Sequence, residues 1–362
     1  MSITITGVKA RAVTAPIKRP PVAASGQIKN AALVLVDLET DAGITGHCYL
    51  FCFMPAMLKP TIGCIEALND LVANQPLAPA NLDSMLRKRL TLLDTYGMLG
   101  QALAAIDMCA WDALARSQKL PLASLLGGSV GSVRAYSSCG LWIQDVDKLA
   151  DEAEELLNDG QFSALKLRLG RPDMQDDLTA VRNVKQRIGS DIKLMCDFNQ
   201  SLSVSEAMQR CRLLDDEGLY WIEEPIRNDD YAGCAQIASS IDTPLQIGEN
   251  LLSHFEMQKA IDAGAGSFYM PDVQRIGGVT GWMKAASLAH SHDLDLSSHL
   301  FPEISAHLLR VSPTCHWLEY VDWSDAIIQQ PLEVKNGYAE LSDRPGNGIE
   351  WDEDAVARYL FD

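Results

Sequence analysis

Three acidic residues stand at equal intervals of 26 along the chain: Asp197, Glu223 and Glu249. Each closes a short apolar run, namely residues 192–196, 219–222 and 244–248. One strand, one helix and two loops need roughly that many residues. Three successive βα units are therefore predicted to end a strand in a carboxylate. In a closed parallel barrel those ends converge on one face, where active sites of that architecture lie. One such carboxylate is an ordinary solvated strand end. Three in register are a set of hard oxygen donors, and such a set suits Mg2+, which keeps room for water and substrate.

Two further constellations flank the triad. Lys166-Leu167-Arg168 lies in an apolar stretch. A period of two puts both cations on one side of a strand, here the barrel interior. Buried cations are costly unless they serve an anion. Asp272 and His299 close the candidate sixth and seventh strands. A carboxylate beside a histidine fixes its tautomer, raises its pKa and orients it as a base. A metal triad, cations and a His–Asp pair together fit abstraction of a proton next to a carboxylate. That carbon acid is very weak, so the site must stabilise an enediolate with preorganised charge. His290, His292, His307 and His316 fall in helical or loop contexts and read as structural.

The elements that must position these residues follow from the rhythm of the chain. From about residue 131 to 322, strand candidates end near Leu141, Leu169, Asp197, Glu223, Glu249, Met270, Ser298 and Glu319. Helical patterns fill most of the gaps, for example 146–158, 175–188 and 204–217. Eight strands at this spacing predict a (β/α) barrel. Residues 1–130 lack the rhythm. Strands over 3–13, 31–38 and 43–50 precede a helical region from about 60 to 118, which reads as a separate α+β domain. In that region Ile106, Cys109, Ala110, Ala113 and Leu114 form an apolar stripe, with Asp107 and Asp112 expected off it. A Pro- and Ala-rich segment, 15–27, is either a surface loop or a lid over the barrel mouth. Residues 323–362 read as a hairpin about Asn336-Gly337, then a short helix, packing back on the first domain.

The bulk numbers bound the rest. The chain has 362 residues, 47% hydrophobic and 22% charged, with a formal net charge of −18. That charge argues against nucleic acid or an anionic membrane as partner. A metal and a few local cations still permit an anionic substrate. Nine scattered cysteines without a C-x-x-C pair suit small core residues in a reducing cytoplasm. The first residues alternate like a strand, without a signal-peptide layout, and no apolar run approaches membrane-spanning length.

The residues named so far, with several longer stretches, resemble the mandelate racemase subgroup of the enolase superfamily nearly end to end. The stretches are 104–113 (AAIDMCAWDA), 221–225 (WIEEP), 270–272 (MPD) leading into 276–282 (IGGVTGW), 297–301 (SSHLF) with 303–309 (EISAHLL), and 316–319 (HWLE). The resemblance implies an α/β fold: an enolase-type modified (β/α) barrel with an N-terminal α+β capping domain. It implies Asp197, Glu223 and Glu249 as Mg2+ ligands and His299, assisted by Asp272, as base on one face of the α-carbon. Lys166 would lie against the substrate carboxylate. Glu319 would hydrogen-bond that carboxylate as a protonated acid, and Ser138 would touch it too. Asn199 would lie beside the metal, and the 15–27 loop would touch substrate. A homo-oligomer, such as an octamer, is the expected assembly.

Three features depart from the family pattern. Arg168 replaces the second lysine of the Lys-x-Lys motif, where a racemase holds its opposite-face base, and arginine stays protonated in protein settings. The capping loop carries Arg19, Ser25 and Gln27, which suit a hydroxylated chain or a second carboxylate better than a buried ring. Arg275 replaces a lysine near strand six. One convincing base favours dehydration of a polyhydroxy acid, an acid sugar or aldarate. Racemisation or epimerisation of a 2-hydroxy acid is the alternative, and a catalytically silent metal-binding barrel is a third reading.

Overall fold

A computed structural model describes residues 3–24 and 26–361. The N-terminal part of the protein is a three-stranded antiparallel sheet, with Asn30–Thr40 between Ile5–Pro16 and Thr45–Phe51. The helix Gly97–Ser117 packs against it closely enough that a Cβ on Gly46 would lie 2.0 Å from the Cys109 carbonyl oxygen. Asp107 and Asp112 do not sit off the apolar stripe in solvent. Both are buried. Asp107 accepts from the Thr280 N–H and hydroxyl, while Asp112 accepts from His47 N, Asn347 N and Arg116 Nε. The two acids join the capping sheet, the barrel and the C-terminal segment through this helix. That explains why a helix with polar residues on several sides is buried almost all round.

The second part is a parallel barrel. Strands Ser132–Ser137, Ala164–Arg168, Lys193–Asp197, Ile222–Glu223, Leu245–Ile247 and Phe268–Tyr269 pair in sequence order. Leu318–Tyr320 pairs with the first strand, and residues 296–299 fill the seventh place through bridges to Tyr269, Asp272 and Cys315. The first strand ends four residues earlier than expected. Leu141 takes a left-handed φ of +54° and its carbonyl accepts from Arg168 N, so the apolar stretch after Ser138 leaves the ladder. Side-chain caps start several barrel helices: Asp145, Asp173, Asp230, Ser253 and the reciprocal Ser203–Glu206 box. Tyr136, Ala164, Met195, Trp221 and Trp317 fill the barrel as a buried apolar cluster.

The 15–27 segment holds a two-residue ribbon, Val22–Ala23 against Gly26–Gln27, and lies over the loops that follow the first two barrel strands. The C-terminal segment divides. Its Asn336-Gly337 hairpin adds antiparallel to the first barrel strand rather than to the capping sheet. Residues beyond it return to the sheet, where Thr14 N donates to Tyr359 O and Arg11 pairs with Glu353. Among the described residues no helix is long and apolar enough to cross a membrane.

Candidate active site

Asp197, Glu223 and Glu249 each offer a carboxylate oxygen within 4.8 Å of the others, at the carboxyl ends of adjacent barrel strands. The third needs a special turn. Gly248 has φ +128°, and a Cβ there would lie 2.8 Å from Met270 N on the next strand. Only glycine lets the chain turn there so that Glu249 reaches the mouth. Neighbours hold each acid in place. Asp197 accepts from Asn199 N at 2.7 Å and Asn199 Nδ2 at 3.0 Å, and Glu223 accepts from Trp221 Nε1 at 3.0 Å. Asn250 Nδ2 reaches Glu249 at 3.1 Å and both oxygens of Glu224, while its own carbonyl takes Arg275 Nη1. Asn199, expected beside the metal, spends its amide on Asp197.

Lys166 and Arg168 both point into the barrel and are buried. Lys166 Nζ lies 2.6 Å from Glu223 Oε1, 2.7 Å from Glu319 Oε1 and 3.4 Å from Asp197 Oδ2. Arg168 Nη2 donates to Ser138 Oγ at 3.0 Å, and its Nε lies 3.5 Å from Asp197 Oδ2. Burial opposes charge on both cations, yet the surrounding carboxylates hold both pKa values above their ordinary ones.

His299 Nδ1 meets Asp272 Oδ2 at 2.7 Å. The other Asp272 oxygen caps the following turn, accepting from Gln274 N and Arg275 N. The carboxylate is thereby fixed on two sides and accepts a hydrogen bond from the Nδ1–H, which leaves Nε2 toward the triad, 3.4 Å from Glu249. Burial alone would lower the His299 pKa, but Glu249, the bond to Asp272 and Glu319 together raise it to about 9. Glu319 sits between base and lysine: its Oε2 accepts from Leu300 N at 3.0 Å and lies 3.9 Å from His299 Nε2.

Glu319 is expected as a protonated acid against a substrate carboxylate. Burial pushes it that way, while Lys166, His299 and Arg168 press its pKa below the ordinary carboxylate value. Arg19 was expected to touch substrate. Its guanidinium instead lies 3.0 Å from Asp159, 3.7 Å from Glu155 and 4.0 Å from Glu152, because the helix Val146–Gly160 presents those acids beneath it. Ser25 lies outside the described residues. Ser138 is buried and holds Arg168. Sequence reasoning gave no role to Asn250, Glu224 or Arg275, which form a hydrogen-bonded relay beside Glu249.

The donor set fits a divalent cation. Asp197, Glu223, Glu249, Asp272 and Glu319 crowd one mouth against Lys166, Arg168 and one imidazole. Desolvation raises Glu223 well above the carboxylate range, and the other acids add to the rise despite Lys166. A cation with a preference for oxygen donors relieves that excess.

This combination of barrel, cap and mouth defines a class. Residues 148–355 match the profile described as Enolase C-terminal domain-like, and residues 5–127 match the Mandelate racemase / muconate lactonizing enzyme, N-terminal domain. The chain belongs to the mandelate racemase/muconate lactonizing enzyme family of the enolase superfamily. A solved enolase from alpha proteobacterium bal199 with bound Mg is 43% identical, with TM-score 0.97, covering 99% of this chain and 100% of that one. An enolase from Bradyrhizobium complexed with magnesium and mandelic acid is 38% identical, with TM-score 0.96, covering 100% and 99%. L-talarate/galactarate dehydratase from Salmonella typhimurium strain LT2 is 33% identical over 259 residues, which is 72% of this chain and 65% of the dehydratase. The match thus spans just under two thirds of that relative. Magnesium is the metal in the solved neighbours, and Asp197, Glu223 and Glu249 are the residues here that could bind it.

Proposed function

We propose that this chain abstracts the proton α to the carboxylate of a hydroxy acid, with Mg2+, and that the reaction is dehydration of a polyhydroxy acid. The observation that carries the reading is the Asp272–His299 pair at 2.7 Å, facing a mouth whose second strand-two cation is a permanently charged arginine. Magnesium on Asp197, Glu223 and Glu249 would draw the developing enediolate charge. The protein's own groups do the rest. Nε2 of His299 takes the α-proton while Asp272 holds the ring and its charge. Lys166 and Arg168 stabilise the substrate carboxylate and the charge that develops on it. The imidazolium then returns its proton to the departing β-hydroxyl, and the enol left after loss of water becomes a 2-oxo acid. The dehydratase relatives support this reading. Incubation with galactarate and Mg2+ tests it, through the appearance of a 2-oxo acid.

One observation favours a second reading, racemisation of a 2-hydroxy acid with a flat apolar substituent. A belt of rings runs beside the mouth. Trp142 and Trp323 lie 6.3 Å apart, Trp323 and Phe51 5.0 Å, and Phe51 and Phe53 4.6 Å, with Arg168 over one end and Arg275 over the other. With Arg19 turned outward, this surface suits a ring. The neighbour solved with mandelic acid agrees with it. Inversion of one mandelate enantiomer in the presence of Mg2+, without loss of water, would support this reading over dehydration.

A further inference from the structure

We propose that Trp142 is a positioning residue that couples the seating of the 15–27 capping loop to the geometry of Arg168. The indole stands between the two. The Arg168 guanidinium lies 4.7 Å over its ring. On its other edge Nε1 donates to the Arg19 carbonyl at 3.0 Å, and the next residue, Ile143, donates its N–H to Val22 O at 2.7 Å. The backbone places the ring on purpose. Leu141 is held in the left-handed region, and its carbonyl accepts from Arg168 N at 2.9 Å. A strained residue tied to a neighbouring strand is a sign of a constrained functional geometry.

The corrected place of Arg19 completes the device. Its side chain is latched onto Glu152, Glu155 and Asp159, so its carbonyl is presented to Trp142 at a fixed place. At the other end, Arg168 spends Nη2 on Ser138, while buried Nη1 has no hydrogen-bond partner among the described residues. Arg168 therefore keeps a donor in reserve and is aimed by the ring beneath it. When the loop lifts, Trp142 loses its acceptor and Arg168 loses a fixed platform. The coupling is reciprocal, as any linkage between two equilibria must be: loosening Arg168 also loosens the loop.

The test uses the full chain with Mg2+. Trypsin cuts the loop after Lys18, because the Arg19 bond is followed by Pro20. With fast reclosing, the rate of cutting follows the open population. Trp142→Phe keeps the ring but removes the N–H donor, and its rate of cutting should rise about two- to tenfold. Arg168→Gln, which leaves the loop residues intact, should raise it about two- to fivefold. Arg19→Gln should raise it as well. Cutting at the wild-type rate in both Trp142→Phe and Arg168→Gln, with unchanged melting temperatures, overturns the proposal. A kinetic arm rests on the reading above and uses α-proton exchange from mandelate and galactarate in D2O. Trp142→Leu and Arg168→Gln should be strongly non-additive there, and full additivity counts against the coupling. Exchange of neither probe by the wild-type protein counts against the proposed reaction alone, and the trypsin rates then decide the coupling.

Discussion

The Lys166 ammonium lies 2.7 Å from Glu319 Oε1, although the family pattern assigns Glu319 a proton of its own. Lys166 is shared among Glu223, Glu319 and Asp197 and compensates acids that otherwise repel one another. Substitution of Lys166 by Met should therefore destabilise the metal-free protein by about 3–5 kcal/mol, the usual cost of leaving buried charge unpaired. Mg2+ should restore most of the loss. Urea unfolding with EDTA and with Mg2+ measures both.

Metal binding should itself stabilise the fold, since the triad exists only when three strands are assembled. At about 100 times the dissociation constant, linkage gives about 2.7 kcal/mol. Melting curves across a Mg2+ titration should shift upward. Substitution of Glu249 by Gln should remove most of the shift, and an unchanged shift in that variant would sink the assignment of Glu249 as a ligand.

Asp272 acts through His299. Replacing it by Asn keeps the shape but offers Nδ1 an amide, so the ring loses the carboxylate that fixes its tautomer and stabilises its charge. The turnover rate should fall by about 100-fold or more, within the usual range for a general acid–base pair. The Mg2+-dependent melting shift should persist, because Asp272 is not a proposed ligand. Loss of that shift would mean that Asp272 holds the metal site rather than the base.

Acid should weaken the fold through His307. This ring is buried, accepts from Ala123 N, and burial lowers its pKa from 6.5 to about 4. Between those values the unfolded chain binds a proton that the folded ring refuses. Its contribution is thus full above about pH 6.5, falls as the pH drops through that window, and is exhausted near pH 4. From pH 7.5 to 5 the loss from this one group should be about 2 kcal/mol. Urea unfolding of wild type and His307→Gln at both pH values isolates it, and the variant should lose less.

The barrel and its acidic triad were legible because their signal is local. Each carboxylate ends its own apolar strand, and period two places Lys166 and Arg168 inside. His307 and His316 read as structural and are bonded as such, His316 between Tyr220 and Ser297. What failed depended on distant partners. Asp107 and Asp112 looked like the polar face of a helix, but apart from Arg116 their donors come from residues 280, 47 and 347. Arg19 looked like a substrate ligand until the helix Val146–Gly160 supplied three acids. The polar loop pointed to a polar substrate, whereas the rings of Phe51, Trp142 and Trp323 meet only in three dimensions.

The central claim is that the imidazole of His299 removes a carbon-bound proton. The direct measurement is NMR of mandelate and galactarate in D2O with Mg2+, for wild type and His299→Asn. The account predicts that wild type replaces the α-proton of at least one probe with deuterium, and that the variant does so at least about 1,000-fold more slowly while still binding the metal. A variant that exchanges the proton at the wild-type rate would contradict it.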